Sequence, residues 1–111
     1  MNNTKRYLND INFKVKHILS CRVRAAIAKN IKKGKTQELI GCNINELKQH
    51  LESKFQPGMN WNNYCYSGWH IDHIVPCSKF DLSKEEEQHK CFHYTNLQPL
   101  WMKENFKKSD K

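Results

Sequence analysis

Apolar residues recur every three or four positions along residues 11–33. Val15, Leu19, Val23, Ala26 and Ile27 trace one stripe, with Ile11, Ile18 and Ile31 beside it. That period predicts an amphipathic helix, and Ala25, Ala26 and Ala28 favour it further. Asp10 is placed to cap its start and Gly34 to end it, while residues 1–10 read as a polar, frayed lead. A short helical turn over 36–40 closes at Gly41. Asn43 with Glu46 three residues on is a capping-box start for a helix to about Phe55, whose stripe is Ile44, Leu47, Leu51 and Phe55. Pro57-Gly58 stops it.

The second half changes pattern. Residues 59–68 are aromatic and polar without a period. Asn60 can cap one turn there, and Trp61 and Tyr64 either stack on bases or pack over the core. Gly68 turns the chain into a predicted strand over 69–75, which Pro76 ends. Ser83 caps a helix over 84–91, with Glu85, Glu86 and Glu87 at its N-terminus. A second strand and its lead-in run over 92–100, and a closing helix over 101–108. The expected fold is α+β. Residues 1–68 form a basic helical DNA-binding and support region, residues 69–111 a two-stranded ribbon packed on the last helix, and the two make one compact domain.

Charge sharpens this division. Residues 1–35 carry ten Lys or Arg against one acid, a net +9, whereas residues 36–111 carry nine Lys against ten acids, a net −1. The basic excess of the whole chain therefore sits on its first third, where Arg22, Arg24, Lys29, Lys32 and Lys33 occupy the predicted helix. A block of this kind favours a polyanion through counterion release; it is equally the solvated face of a helix covering a core. Double-stranded DNA is the expected partner. The five cysteines, the lack of an apolar leader, and no apolar run near the roughly 18 residues of a span point away from membranes. They suggest a reduced, cytoplasmic protein, within a host cell if it is viral. No Cys-x-x-Cys occurs. The weaker zinc combination, Cys65, His70, His73 and Cys77, would use up His73 and leave Asp72 and Asn105 without a role.

The chemistry-bearing residues lie in the last 43 positions: Trp69-His-Ile-Asp-His-Ile-Val-Pro76, then Asn96-Leu-Gln-Pro-Leu-Trp101, then Glu104-Asn-Phe-Lys-Lys-Ser-Asp-Lys111. Asp72 and Asn105 offer hard oxygen donors of the type Mg²⁺ prefers. An ordinary imidazole, with a pKa near ~6.5, is largely neutral at pH 7 and suited to taking a proton from water. Asp-His, Asn and Asn in this order and spacing resemble the HNH endonucleases, the ββα-metal or His-Me finger nucleases. Residues 38–52 also look like the segment preceding the motif in small phage and viral HNH proteins.

The resemblance implies a ββα-metal motif over 69–111 and a metal-dependent DNA endonuclease or nicking enzyme. It implies His73 as general base, Asp72 and Asn105 as ligands of Mg²⁺, Mn²⁺ or another divalent cation, and Asn96 as a structural residue bonding the backbone around the Asp-His pair. Lys108, on the same helical face as Asn105, is implied as a phosphate contact, with Lys107 behind it. His70, alternating with Asp72, is a possible supporting residue. The zinc-binding cysteines that often flank this fold are missing, so no structural zinc is expected; the core must rest on Trp69, Trp101, Phe80, Phe92 and the preceding helices. His17, His50 and His89 read as surface residues. The competing expectation is a catalytically idle DNA-binding or partner-docking module on the same scaffold. Whether the chain pairs with itself or with another protein is not legible.

Overall fold

A computed structural model describes residues 3–29 and 34–109. Among them, five helices and one two-stranded antiparallel sheet follow in the order α1 (Asn3–Lys29), α2 (Lys35–Ile40), α3 (Ile44–Glu52), β1 (Trp69–His73), α4 (Glu85–Phe92), β2 (Leu97–Trp101) and α5 (Met102–Ser109). The fold is α+β, as the change of period along the chain predicts.

The stripes become the core. Leu19, Val23, Ala26 and Ile27 of α1 meet Leu39 and Ile40 of α2 and Ile44, Leu47 and Leu51 of α3; Leu82, Cys91, Phe92 and Leu97 complete the cluster. Ile40, Ile44, Leu47 and Leu51 are fully buried, and each such side chain stabilises the fold by roughly 1.5–3 kcal/mol. Phe92 and Trp69 are buried as expected, whereas Phe80 only packs at the edge of the cluster and Trp101 is half-buried. Trp61 and Tyr64 pack rather than stand free. Phe55, Trp61, Tyr64 and Trp69 form one aromatic cluster, with Tyr64 stacked on Trp69 at 4.5 Å.

Local signals hold at several boundaries. Asn43 and Glu46 form the reciprocal cap of α3, and Asn60 caps the turn Trp61–Asn63. Gly41 closes α2 at φ 75°, in the left-handed region glycine favours. Gly68 is required for another reason: a Cβ there would stand 1.9 Å from the carbonyl oxygen of Asn63.

Four expectations are corrected. Within the lead-in, α1 already begins at Asn3 and runs through Asp10, which is therefore no cap, while residues 1–2 fall outside the described residues. Ile18 lies off the buried stripe, 56% exposed, while Ile31, Lys32 and Lys33 fall outside the described residues. Ser83 does not cap α4: its hydroxyl donates to Asp81 Oδ1 at 2.6 Å, and the helix starts after Lys84. Residues 92–96 are not extended, since Phe92 ends α4 and Tyr94–Asn96 form a turn capped by His93.

Sheet register sets what each face presents. Trp69 pairs with Trp101, Ile71 with Pro99 and His73 with Leu97; His70 pairs with Leu100 and Asp72 with Gln98. Side chains alternate across a strand. Trp69, Ile71 and His73 therefore face the helical core, and His70 and Asp72 face the other way. α5 covers that second face, tied at its start by Met102 N–H donating to Gly68 O at 2.9 Å. The ribbon is thus sandwiched between α5 and the N-terminal helices.

Candidate functional site

The seam between β1 and α5 gathers most of the residues singled out in the sequence. Asp72 is buried, 8% exposed, and a carboxylate out of water needs charged or hydrogen-bonding partners. It has both: Lys108 Nζ approaches Oδ2 at 2.6 Å, and Gln98 Nε2 donates to the same oxygen at 2.9 Å. The Lys108 ammonium also donates to the carbonyls of His73 and Ile74. One turn back on α5, Asn105 meets His70. The Tyr66 carbonyl, only an acceptor, lies 2.8 Å from His70 Nε2 and so fixes the proton there. Nδ1 of the neutral ring then accepts from Asn105 Nδ2 at 2.9 Å. The Asn105 side-chain oxygen, an acceptor, takes no part in that bond.

Asn96 is a clamp. Its Oδ1 accepts from Val75 N–H at 2.8 Å, and its Nδ2 donates to the carbonyls of Val75 at 3.1 Å and Cys91 at 2.9 Å. Its own carbonyl accepts from Ile74 N–H at 2.8 Å. The Ile74 bond follows the register that pairs His73 with Leu97, while the Asn96 side chain takes both backbone groups of Val75, and β1 ends at His73 instead of reaching Val75. These bonds also fasten the segment after Asp72-His73 to the end of α4.

His73 turns away from the seam. Its ring packs edge-on against Phe92 at 4.6 Å, and its Nε2 is buried without a hydrogen bond. It points at two buried thiols: Cys77, on the turn Cys77–Lys79 after Pro76, and Cys91 of α4, whose sulfurs lie 3.1 Å apart. The hydrogen bond from Cys91 draws the Cys77 thiol down to about 5, against burial and with help from His73 and Lys16, and the same bond with burial pushes Cys91 upward. The Cys₂His₂ combination suggested by spacing is therefore corrected. His73 and Cys77 do come together, but with Cys91; Cys65 is exposed and His70 belongs to the seam.

Arg24 of α1, Tyr66, His70, His73 and Asn105 line one cleft of about 360 Å³, whose lining does not include Asp72, Lys108, Cys77 or Cys91. Of the basic residues predicted on α1, Arg24 thus reaches the site, while Arg22 and Lys29 are exposed on the helix and Lys32 and Lys33 lie outside the described residues. Lys107 is exposed beside Lys108. Burial pushes the Tyr64 hydroxyl at the cleft wall up to about 12, with Arg24 opposing.

Three participants escaped sequence reasoning. Gln98 carries no motif, yet it is the register partner of Asp72. Tyr66 acts through its backbone carbonyl. Cys91 stands 14 residues from Cys77, too far along the chain for spacing alone to mark the pair. A fourth residue, His50, is corrected from surface to structural: its Nε2 donates to Leu97 O at 2.9 Å and its ring meets Tyr94 edge-on.

No helix among the described residues is long and apolar enough to cross a membrane. No family model matches the chain, and no solved structure matches it. Two proteins of Acanthamoeba polyphaga mimivirus, both described as uncharacterized, are similar to it. One is 41% identical over 111 residues, all of this chain and 48% of that protein; the other is 39% identical over 95 residues, 86% of this chain and 41% of that protein. The chain therefore spans a little under half the length of the curated relatives it matches.

Proposed function

We propose that the chain is a metal-dependent DNA endonuclease of the HNH type, with 69–111 as its ββα-metal motif and Asp72 and Asn105 as the donors for a divalent cation such as Mg²⁺ or Mn²⁺. One observation carries the reading. On a single seam, a buried carboxylate already holds a positive charge, that of Lys108, and one turn away the Asn105 amide, its nitrogen donating to His70, carries a second hard oxygen. Two hard oxygens from the protein suit an ion that keeps several waters or phosphate oxygens. When bound, such an ion neutralises charge that builds on the phosphate.

The chain's own residues supply the rest. Lys108, one turn from Asn105, offers an ammonium to the scissile or adjacent phosphate, and Arg24 offers a guanidinium across the cleft. Asn96 holds the backbone after His73 in place. His73 is the base: its ring lines the cleft shared with Asn105, and it acts once the imidazole swings from the cysteines toward a water there. His70 keeps Asn105 oriented.

A second reading is favoured by a specific feature. The Nε2 of His73 is buried and Lys108 already neutralises Asp72, as an idle DNA-binding or partner-docking module would permit. Supercoiled plasmid decides between them. The endonuclease nicks it with Mg²⁺ or Mn²⁺, stops in EDTA, and leaves 5′-phosphate and 3′-hydroxyl ends. His73→Ala loses nicking yet still retards DNA in a gel, and Asp72→Asn and Asn105→Ala lose nicking too. A folded wild-type protein that binds DNA but nicks with no divalent metal establishes the idle module instead.

A further inference from the structure

We infer that His73, Cys77 and Cys91 form a binding site for a thiophilic d¹⁰ cation, with Zn²⁺ as its reference ligand. The three side chains come from separate elements, β1, the turn after Pro76 and α4, and each presents one donor atom within 4.8 Å of the other two. Ordinary packing accounts for the two cysteines, which are 8% and 0% exposed and behave as small apolar residues. It does not account for the imidazole gathered beside them, whose Nε2 is buried with no hydrogen-bond partner. A cation gives the imidazole and the two sulfurs one shared partner.

Donor chemistry selects the ion. Two sulfurs and an imidazole nitrogen are soft or borderline ligands, suited to Zn²⁺ or Cu⁺ and poorly suited to Mg²⁺ or Ca²⁺. With Zn²⁺, both sulfurs bind as thiolates, any proton they still carry passes to solvent, and their two negative charges balance the ion beside Phe92. On a tetrahedral zinc with Zn–S near 2.3 Å, two sulfurs stand about 3.8 Å apart. The present 3.1 Å separation needs to open by about 0.7 Å, within the reach of two χ1 adjustments. Three protein donors leave a fourth position. Cys77 lines a second cleft of about 230 Å³ with Asn12, Lys16 and Phe80, through which water or an exchangeable ligand can approach. The site shares His73 with the proposed nuclease centre but does not depend on it, since metal binding is read without DNA.

The test uses the whole chain, stripped of metal, in a phosphine reductant. Titration with Co²⁺ should give a thiolate-to-cobalt charge-transfer band and intense four-coordinate d–d bands that saturate at one equivalent. Zn²⁺ should then bleach them. Cys77→Ser and His73→Ala should each weaken Zn²⁺ binding at least tenfold, while Cys65→Ser should not. Because a substitution in this cluster can unfold the protein, the unmutated chain is also alkylated in urea just below its transition, with and without Zn²⁺. Mass spectrometry should find Cys77 and Cys91 protected by the metal and Cys21 and Cys65 unprotected. A missing charge-transfer band, a band that persists in Cys77→Ser, or equal alkylation with and without Zn²⁺ overturns the site.

Discussion

Replacing Asn96 by Ala tests the clamp that joins the two strand segments to α4. Among the described residues the side chain makes three hydrogen bonds, two to the backbone of Val75 and one to the Cys91 carbonyl. A protein hydrogen bond is worth roughly 0.5–1.5 kcal/mol net, and more where a buried partner is left unmet. Val75 is 45% exposed, so water can take over its two bonds and they belong at the low end. The Cys91 carbonyl sits at a buried residue and belongs at the high end. The expected loss is about 2–3 kcal/mol. With an unfolding entropy of about 2.1 cal/mol/K per residue near 60 °C, that lowers Tm by about 10 °C. Circular-dichroism melts and urea titration measure it directly. Asn96→Asp gives the sharper comparison. It keeps the acceptor for Val75 N–H but sets a carboxylate against two carbonyl oxygens, so at pH 7 it should be less stable than Asn96→Ala. It should recover as pH falls through the carboxylate range near ~4. A loss below about 1 kcal/mol in Asn96→Ala, or Asp outperforming Ala at pH 7, refutes the clamp.

Two further outcomes are expected. In metal-free, reduced protein, Cys77 ionises in the fold at about 5 against an ordinary 9.0, while Cys91 is raised. From about pH 5 to 9 the folded chain therefore binds fewer protons at Cys77 than the unfolded chain does, and stability rises with pH; above 9 the unfolded chain ionises Cys91 more readily, and stability falls. Urea midpoints across that range should show the rise in wild type and a flatter profile in Cys77→Ser, with parallel profiles counting against the coupled pair. Replacing Arg22, Arg24, Lys29 and Lys32 by Gln should lower DNA affinity and flatten its logarithmic salt dependence by about 0.9 for each phosphate no longer neutralised. An unchanged slope reduces α1 to a solvated face.

The elements most legible in the sequence are those whose signals are local. The Asn43–Glu46 cap, the Asn60 turn, the glycine at 41 and the stripes of α1 and α3 each rest on spacing within a few residues, where side chain and backbone decide the conformation between them. What spacing could not supply is long-range. His50 looks like a surface residue on a polar helix face until β2 passes beneath it and Leu97 offers a carbonyl. Gln98 becomes a partner of Asp72 only through the register, and Cys91 becomes a neighbour of Cys77 only when α4 folds back over the turn. β1 ends early for the same reason: the side chain of Asn96, 21 residues beyond Val75 in sequence, competes for backbone groups that a longer strand would have used.

The same logic explains why Asp72 and His73, adjacent in sequence, have different surroundings here. In a regular strand neighbouring side chains point to opposite faces. Their partners follow that rule: Asp72 meets α5 through Lys108, and His73 meets Phe92 and the thiols. Just beyond Asp72 and His73 the Asn96 side chain holds both backbone groups of Val75. The imidazole then has two destinations, the cleft it shares with Asn105 or the two sulfurs behind it. A thiophilic cation stabilises the second at the expense of the first, so the residue that would activate water is also the one whose position a soft metal would decide.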